Sequence, residues 1–112
     1  EIGGVRVLTA RVAAEDRDAL LQLGDRARDL LGSGVVALAA EWEGKATLLV
    51  TVTADLVDAK TLHAGDLVKA ITAEVGGRGG GRPGTAQAGL PGSEAIDPAL
   101  ALAAEAVRDA LA

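Results

Sequence analysis

The sequence predicts a small α/β domain: one mixed β-sheet packed by helices, with a glycine-rich loop before the C-terminal helix. Three observations carry that reading. Runs rich in Val, Leu and Thr at residues 5–12, 35–42 and 46–53 alternate with segments of helical periodicity. Apolar residues make up 49% of 112 residues, and the only aromatic one is Trp42, so the core must be aliphatic. Seven of the 15 glycines fall between Val75 and Gly89, which punctuates the chain before its last helical stretch. Residues 1–112 read as a single domain, and a first residue of Glu rather than Met suggests one excised from a longer chain.

The elements follow in order. VRVLTARV opens the chain as a strand. Asp16 is placed to cap a helix whose apolar positions are Leu20, Leu21, Leu23, Ala27, Leu30 and Leu31. Gly24 lies inside it at a cost of about 1 kcal/mol relative to Ala, and Gly32 and Gly34 end it. Residues 35–42 and 46–53 form an antiparallel pair around a tight Glu43-Gly44-Lys45 turn. An acidic connection over residues 55–60 leads to a helix at 65–75, with Leu67, Val68, Ile71 and Val75 on its apolar face. The glycine loop comes next. A last helix begins at Asp97-Pro98, with Asp97 as cap and Pro98 in its first turn. Its stripe is Ile96, Leu100, Ala103, Val107 and Leu111.

Composition excludes several classes of function. Cysteine is absent, so there is no disulfide and no thiolate metal site. With a single His and no local ligand cluster, no metal is expected. No apolar run reaches the ~20 residues of a membrane span, and no signal peptide precedes the first strand, so a cytoplasmic location is expected. A net charge of −5 argues against a sequence-independent grip on nucleic acid over the whole surface. Between Lys69 and Arg82 the balance reverses locally, with three basic residues to one acidic.

The glycine run does not fit the familiar phosphate-binding patterns. Gly79, Gly81 and Gly84 match a dinucleotide fingerprint in letters, yet the run leaves a helix instead of a strand. Pro83 lacks an amide that a phosphate would need, and no Gly-Lys-Ser/Thr follows for a P-loop. A flexible spacer would not need Arg78, Arg82, Pro83 and Gln87. Trp42 reads as a strand end packed on the core, His63 as a structural or surface residue, and Asp16/Asp18 and Asp55/Asp58 as solvated helix-start charges. Arg78 and Arg82 salt-bridged to the chain's own acids, over a covered sheet edge, is the structural alternative for the loop.

GGRGGGRPGTAQAG, residues 76–89, resembles the glycine-rich signature of the C-terminal (DHH-associated) domain of alanyl-tRNA synthetases. That signature runs Gly-Gly-Lys/Arg-Gly-Gly-Gly-Arg-Pro-Asp-x-Ala-Gln-Ala-Gly-Gly. The preceding helix HAGDLVKAITAEV, the upstream hairpin and the closing Ala/Leu helix extend the resemblance over essentially the whole chain. Gly84 stands where the family has Asp, and Leu90 where it has a last Gly. The resemblance implies a non-catalytic domain that helps hold tRNA(Ala) for aminoacylation and editing, and in some members mediates dimerisation. The parent would be an alanine–tRNA ligase using ATP and Mg, with no cofactor in this domain. On that basis Gly77, Arg78, Gly79, Gly80, Gly81, Arg82, Gln87 and Lys69 are candidate RNA contacts, with Lys60 on the rim. Leu100, Ala103, Val107 and Leu111 are a candidate homodimer seam. The alternatives are the substrate-binding domain of a DHH-type phosphoesterase, in which the loop ends in Gly-Gly-His, or a pure dimerisation module.

Overall fold

In the computed structural model, which describes residues 4–59 and 62–111, five strands form one sheet in the order β1-β2-β3-β5-β4. The elements run β1 (Val7–Arg11), α1 (Arg17–Leu31), β2 (Val35–Trp42), β3 (Lys45–Val52), α2 (Ala54–Asp58), α3 (Ala64–Val75), β4 (Arg78–Gly81), β5 (Thr85–Leu90) and α4 (Ile96–Leu111). β1 pairs β2 in parallel through the α1 crossover, and every other pair is antiparallel, so the sheet is mixed as predicted.

Strand alternation divides the sheet into two apolar faces. Ala37, Ala39, Leu48, Val50, Ala86 and Ala88 face one way, into the main core beneath α3 and α4. Val36, Leu38, Ala40 and Leu49 face the other, beneath Leu20 of α1, with the half-buried Trp42 packed at the strand end. With one aromatic residue available, β-branched and Ala side chains fill the central strands, and β2 is buried over its first six positions.

The glycine-rich loop is not a loop. Residues 78–90 fold as the β4–β5 hairpin, with Arg78 opposite Gly89, Gly80 opposite Gln87 and Gly81 opposite Ala86. Glycine's poor strand propensity hid this from the sequence; close approach explains it. A Cβ at Gly79 would lie inside 3.0 Å of the Gln87 carbonyl oxygen and the Ala88 backbone. Gly65, at the start of α3, likewise lets that helix approach the Gly81 carbonyl, and the Ala64 amide donates to the Pro83 oxygen at 2.7 Å.

Local signals mostly hold. The Ala19 amide donates to the Asp16 carboxylate at 2.8 Å, making Asp16 the N-cap of α1. Glu43 and Gly44 both have positive φ, 53° and 76°, the signature of a two-residue primed hairpin turn. His63 caps α3, its Nδ1 accepting from the Asp66 amide at 3.2 Å. Asp55 lies in the first turn of the short helix α2, where the sequence predicts a plain connection. Its carboxylate accepts from the Ser33 and Thr53 hydroxyls, and those hydrogen bonds hold its pKa below the ordinary value.

Three expectations are corrected. Asp97 is not a cap, because a 3-10 turn at Ser93–Ala95 runs directly into α4 and places Asp97 inside the first turn. Leu23 and Leu30 are not core, and Leu30 is 81% exposed. Gly24 lies on the buried face of α1 and turns the packing stripe to Leu20, Gly24, Ala27 and Leu31. Ala103 and Val107 are not available to a dimer seam: they are buried in this chain's own core, Val107 completely, while Leu100 and Leu111 are half-buried against it.

Gly24 supplies a test of which effect wins. Ala in its place gains about 1 kcal/mol of helix propensity. Its Cβ would collide with the buried Leu49 side chain, and overpacking costs about 1–3 kcal/mol. Gly24→Ala is therefore expected to lower stability by up to about 2 kcal/mol, read as a lower denaturation midpoint. A raised midpoint would show that α1 has room to lift off the sheet.

Candidate nucleic-acid interface

α1 packs over β2 and β3 and leaves the β4–β5 hairpin uncovered on that side. The result is a groove of about 630 Å³ between α1 and the hairpin. Arg17 and Leu21 line its helix wall, and residues 78–82 and 85–89 its floor and far wall. Three arginines, Arg17, Arg78 and Arg82, thus share one concave surface, and no acidic side chain lines it.

Register fixes which positions form the floor. Leu49, which faces α1, stands opposite Gln87, and Gln87 stands opposite Gly80. Thr47, Gly89 and Arg78 make the next row on the same face, and Thr51 with Thr85 the row on the other side. A Cβ at Gly89 would meet nothing within 4 Å, so the floor there is bare backbone open to a ligand. Gln87 is half-buried, its Oε1 buried with no hydrogen-bond partner.

Electrostatics favour an anion. Among the described residues, none of the three arginines has a carboxylate within 4.0 Å; the ion pairs join Arg28 to Asp25 and Asp29, and His63 to Asp66. The alternative in which Arg78 and Arg82 are tied to the chain's own acids therefore does not hold among these residues. Free guanidinium groups present planar donor forks suited to phosphate. A lining without carboxylates does not fit a divalent cation, and no group of three or more His, Cys, Asp or Glu gathers among the described residues.

The structure brings together most of the predicted RNA contacts. Arg78, Gly79, Gly80, Gly81, Arg82 and Gln87 line the groove. Lys69 belongs to α3 on the opposite face, yet its Cε reaches to 3.9 Å from where a Gly80 Cβ would stand, at the open edge of β4. Gly77 lies outside the groove at the corner before β4. Lys60 lies outside the described residues. Arg17 was missed by sequence reasoning, since Asp16 and Asp18 flank it and only the crossing of α1 over the sheet turns it toward the hairpin.

A second hollow of about 570 Å³ lies between the C-terminal end of α1 and α2. It mixes Arg28 with Asp29 and Asp58, and Arg28 is already paired at 3.4 Å with Asp25. It has no charge preference to match the groove. Among the described residues, no helix is long and apolar enough to cross a membrane.

Comparison with known proteins agrees with this architecture. The DHHA1 domain family model matches residues 4–109. The alanine–tRNA ligase of Anaeromyxobacter dehalogenans is 51% identical over 112 residues, all of this chain and 12% of that protein. The alanine–tRNA ligase of Clostridioides difficile is 41% identical over 108 residues, 96% of this chain and 12% of that protein. The chain thus spans about an eighth of the length of these relatives. Among solved structures, the C-Ala domain from Aquifex aeolicus alanyl-tRNA synthetase superposes with a TM-score of 0.82 over 96% of both chains, at 21% identity.

Proposed function

The chain belongs to the DHHA1 domain family and has the fold of a C-Ala domain, and from that footing we propose that it serves an alanine–tRNA ligase by gripping the phosphate backbone of tRNA(Ala). Aminoacylation, with its ATP and Mg, belongs to the rest of that enzyme; this module positions the tRNA. The observation that carries the reading is the groove itself, where three arginines with no carboxylate within 4.0 Å, among the described residues, surround a floor of bare glycine backbone.

Physically, the grip is local and charge-assisted. Arg78 and Arg82 lie four residues apart on the hairpin, about 13 Å at 3.3 Å per residue, so they reach different phosphates of one strand. Arg17 adds a third donor fork from the opposite wall. Gly80 and Gly89 let the strand lie close to the sheet, because neither raises a side chain from the floor. An overall charge of −5 keeps nonspecific binding low and confines attraction to this surface.

The test is a salt titration of labelled tRNA(Ala) binding. Each phosphate contact contributes about 0.9 to the slope of log affinity against log salt. Replacing Arg78 and Arg82 together with Ala is expected to weaken binding and reduce that slope by about two. An unchanged slope places the contact elsewhere on the domain.

A further inference from the structure

We propose that Gln87 makes this groove selective for RNA over DNA, by accepting a hydrogen bond from a ribose 2′-hydroxyl of the strand whose phosphates the arginines hold. The inference rests on the backbone-binding reading above and goes beyond it, because phosphate is identical in the two nucleic acids. Arginine donates and never accepts, so Arg17, Arg78 and Arg82 cannot take the hydrogen bond that a ribose hydroxyl offers.

Among the described residues, two side chains in these rows of the sheet carry a buried oxygen with no partner, Thr51 Oγ1 and Gln87 Oε1, and of the two only Gln87 lines the groove. It stands centrally, opposite Gly80, with Gly89 two residues on along the same face, so neither of those positions raises a side chain beside it. Its amide has no side-chain hydrogen bond among the described residues, and its Oε1 is buried with no partner. A buried acceptor left unmade costs free energy. Gln87 Oε1 therefore breaks no hydrogen bond when it turns toward a donor, and it recovers that cost when one arrives. Between two phosphates of one strand, the donor that RNA supplies and DNA lacks is the 2′-hydroxyl.

The probes are a synthetic RNA stem-loop and its fully 2′-fluorinated counterpart, which keeps the A-form sugar pucker and lacks the O–H donor. Both are titrated against the chain, against Gln87→Met, which keeps the shape without the amide, and against Gln87→Glu, which keeps an acceptor. The unaltered chain is expected to bind the ribose form about three- to tenfold tighter, the worth of one neutral hydrogen bond. Gln87→Met should bring the ratio to about one, with the salt slope still reporting the arginine–phosphate contacts. Gln87→Glu should weaken both RNAs and keep the preference. Equal binding of the two RNAs by the unaltered chain overturns the inference. So does a ratio that persists in folded Gln87→Met, or a preference lost in Gln87→Glu. Failure to bind either RNA instead removes the tRNA reading on which it rests.

Discussion

Val107→Glu is expected to abolish cooperative folding. Val107 is fully buried, within a core shared with Ile96, Ala99 and Ala103 of the same helix and the aliphatic face of the sheet. The cluster around it is aliphatic. An unpaired carboxylate there costs at least about 4 kcal/mol, from desolvation together with the lost apolar contact. That approaches the whole stability of a domain this size, roughly 5–15 kcal/mol. The sign of the pH dependence identifies the cause. Burial raises the folded-state pKa of the introduced Glu above its unfolded value of about 4.3. The folded state then binds more protons than the unfolded one, so stability falls as pH rises from about 4.3 through the folded pKa. Denaturation at pH 4 and pH 8 should therefore show the variant hurt more at pH 8. A folded monomer at pH 8 would instead mean that Val107 lies at an interface between copies, against its burial here. Leu111, half-buried in the last turn, should tolerate the same change far better.

The contrast between Val107 and the hairpin shows what the sequence made legible. Apolar periodicity located α1, α3, α4 and the central strands, because a buried face repeats at the period of its element. It could not separate a helix's own core from a seam: Ala103 and Val107 read the same either way, and only the position of the sheet decides. Gly24 misled for a related reason. A glycine contributes no apolar signal, so periodicity runs the stripe of α1 through Leu23 and Leu30, whereas the helix presses its barest position onto Leu49. The strand β4 was invisible because Arg-Gly-Gly-Gly has neither alternation nor β-propensity. Its pairing is fixed by what its neighbours exclude. Of the site, the sequence held Arg78, Arg82, Gln87 and the glycines in one stretch. Arg17 lies 61 positions before Arg78 and enters only through the crossover connection that carries α1 back across the sheet.

Gly79 and Gly89 separate the two uses of glycine in this hairpin, and substituting Val at each is expected to have opposite consequences. At Gly79 a Cβ would lie inside 3.0 Å of the Gln87 carbonyl oxygen and the Ala88 Cα and Cβ. The obstacles include backbone of the partner strand, which has no rotamer to yield. β4 must part from β5, losing ladder hydrogen bonds worth about 0.5–1.5 kcal/mol each, together with the packing of α3 against β4. Gly79→Val should cost roughly 2–4 kcal/mol and, by loosening the strand that carries Arg78, also weaken RNA binding. At Gly89 a Cβ meets nothing within 4 Å, and a β-branched residue suits a strand. Gly89→Val should change stability by less than about 1 kcal/mol, yet it raises two methyl groups from the groove floor beside Arg78. Its RNA affinity should fall with the denaturation midpoint unchanged. Denaturant melts and tRNA titrations on the two variants therefore form a matched pair. Gly89→Val binding tRNA as tightly as the unaltered chain would remove the α1-facing floor of the hairpin from the interface, however strongly the domain as a whole binds.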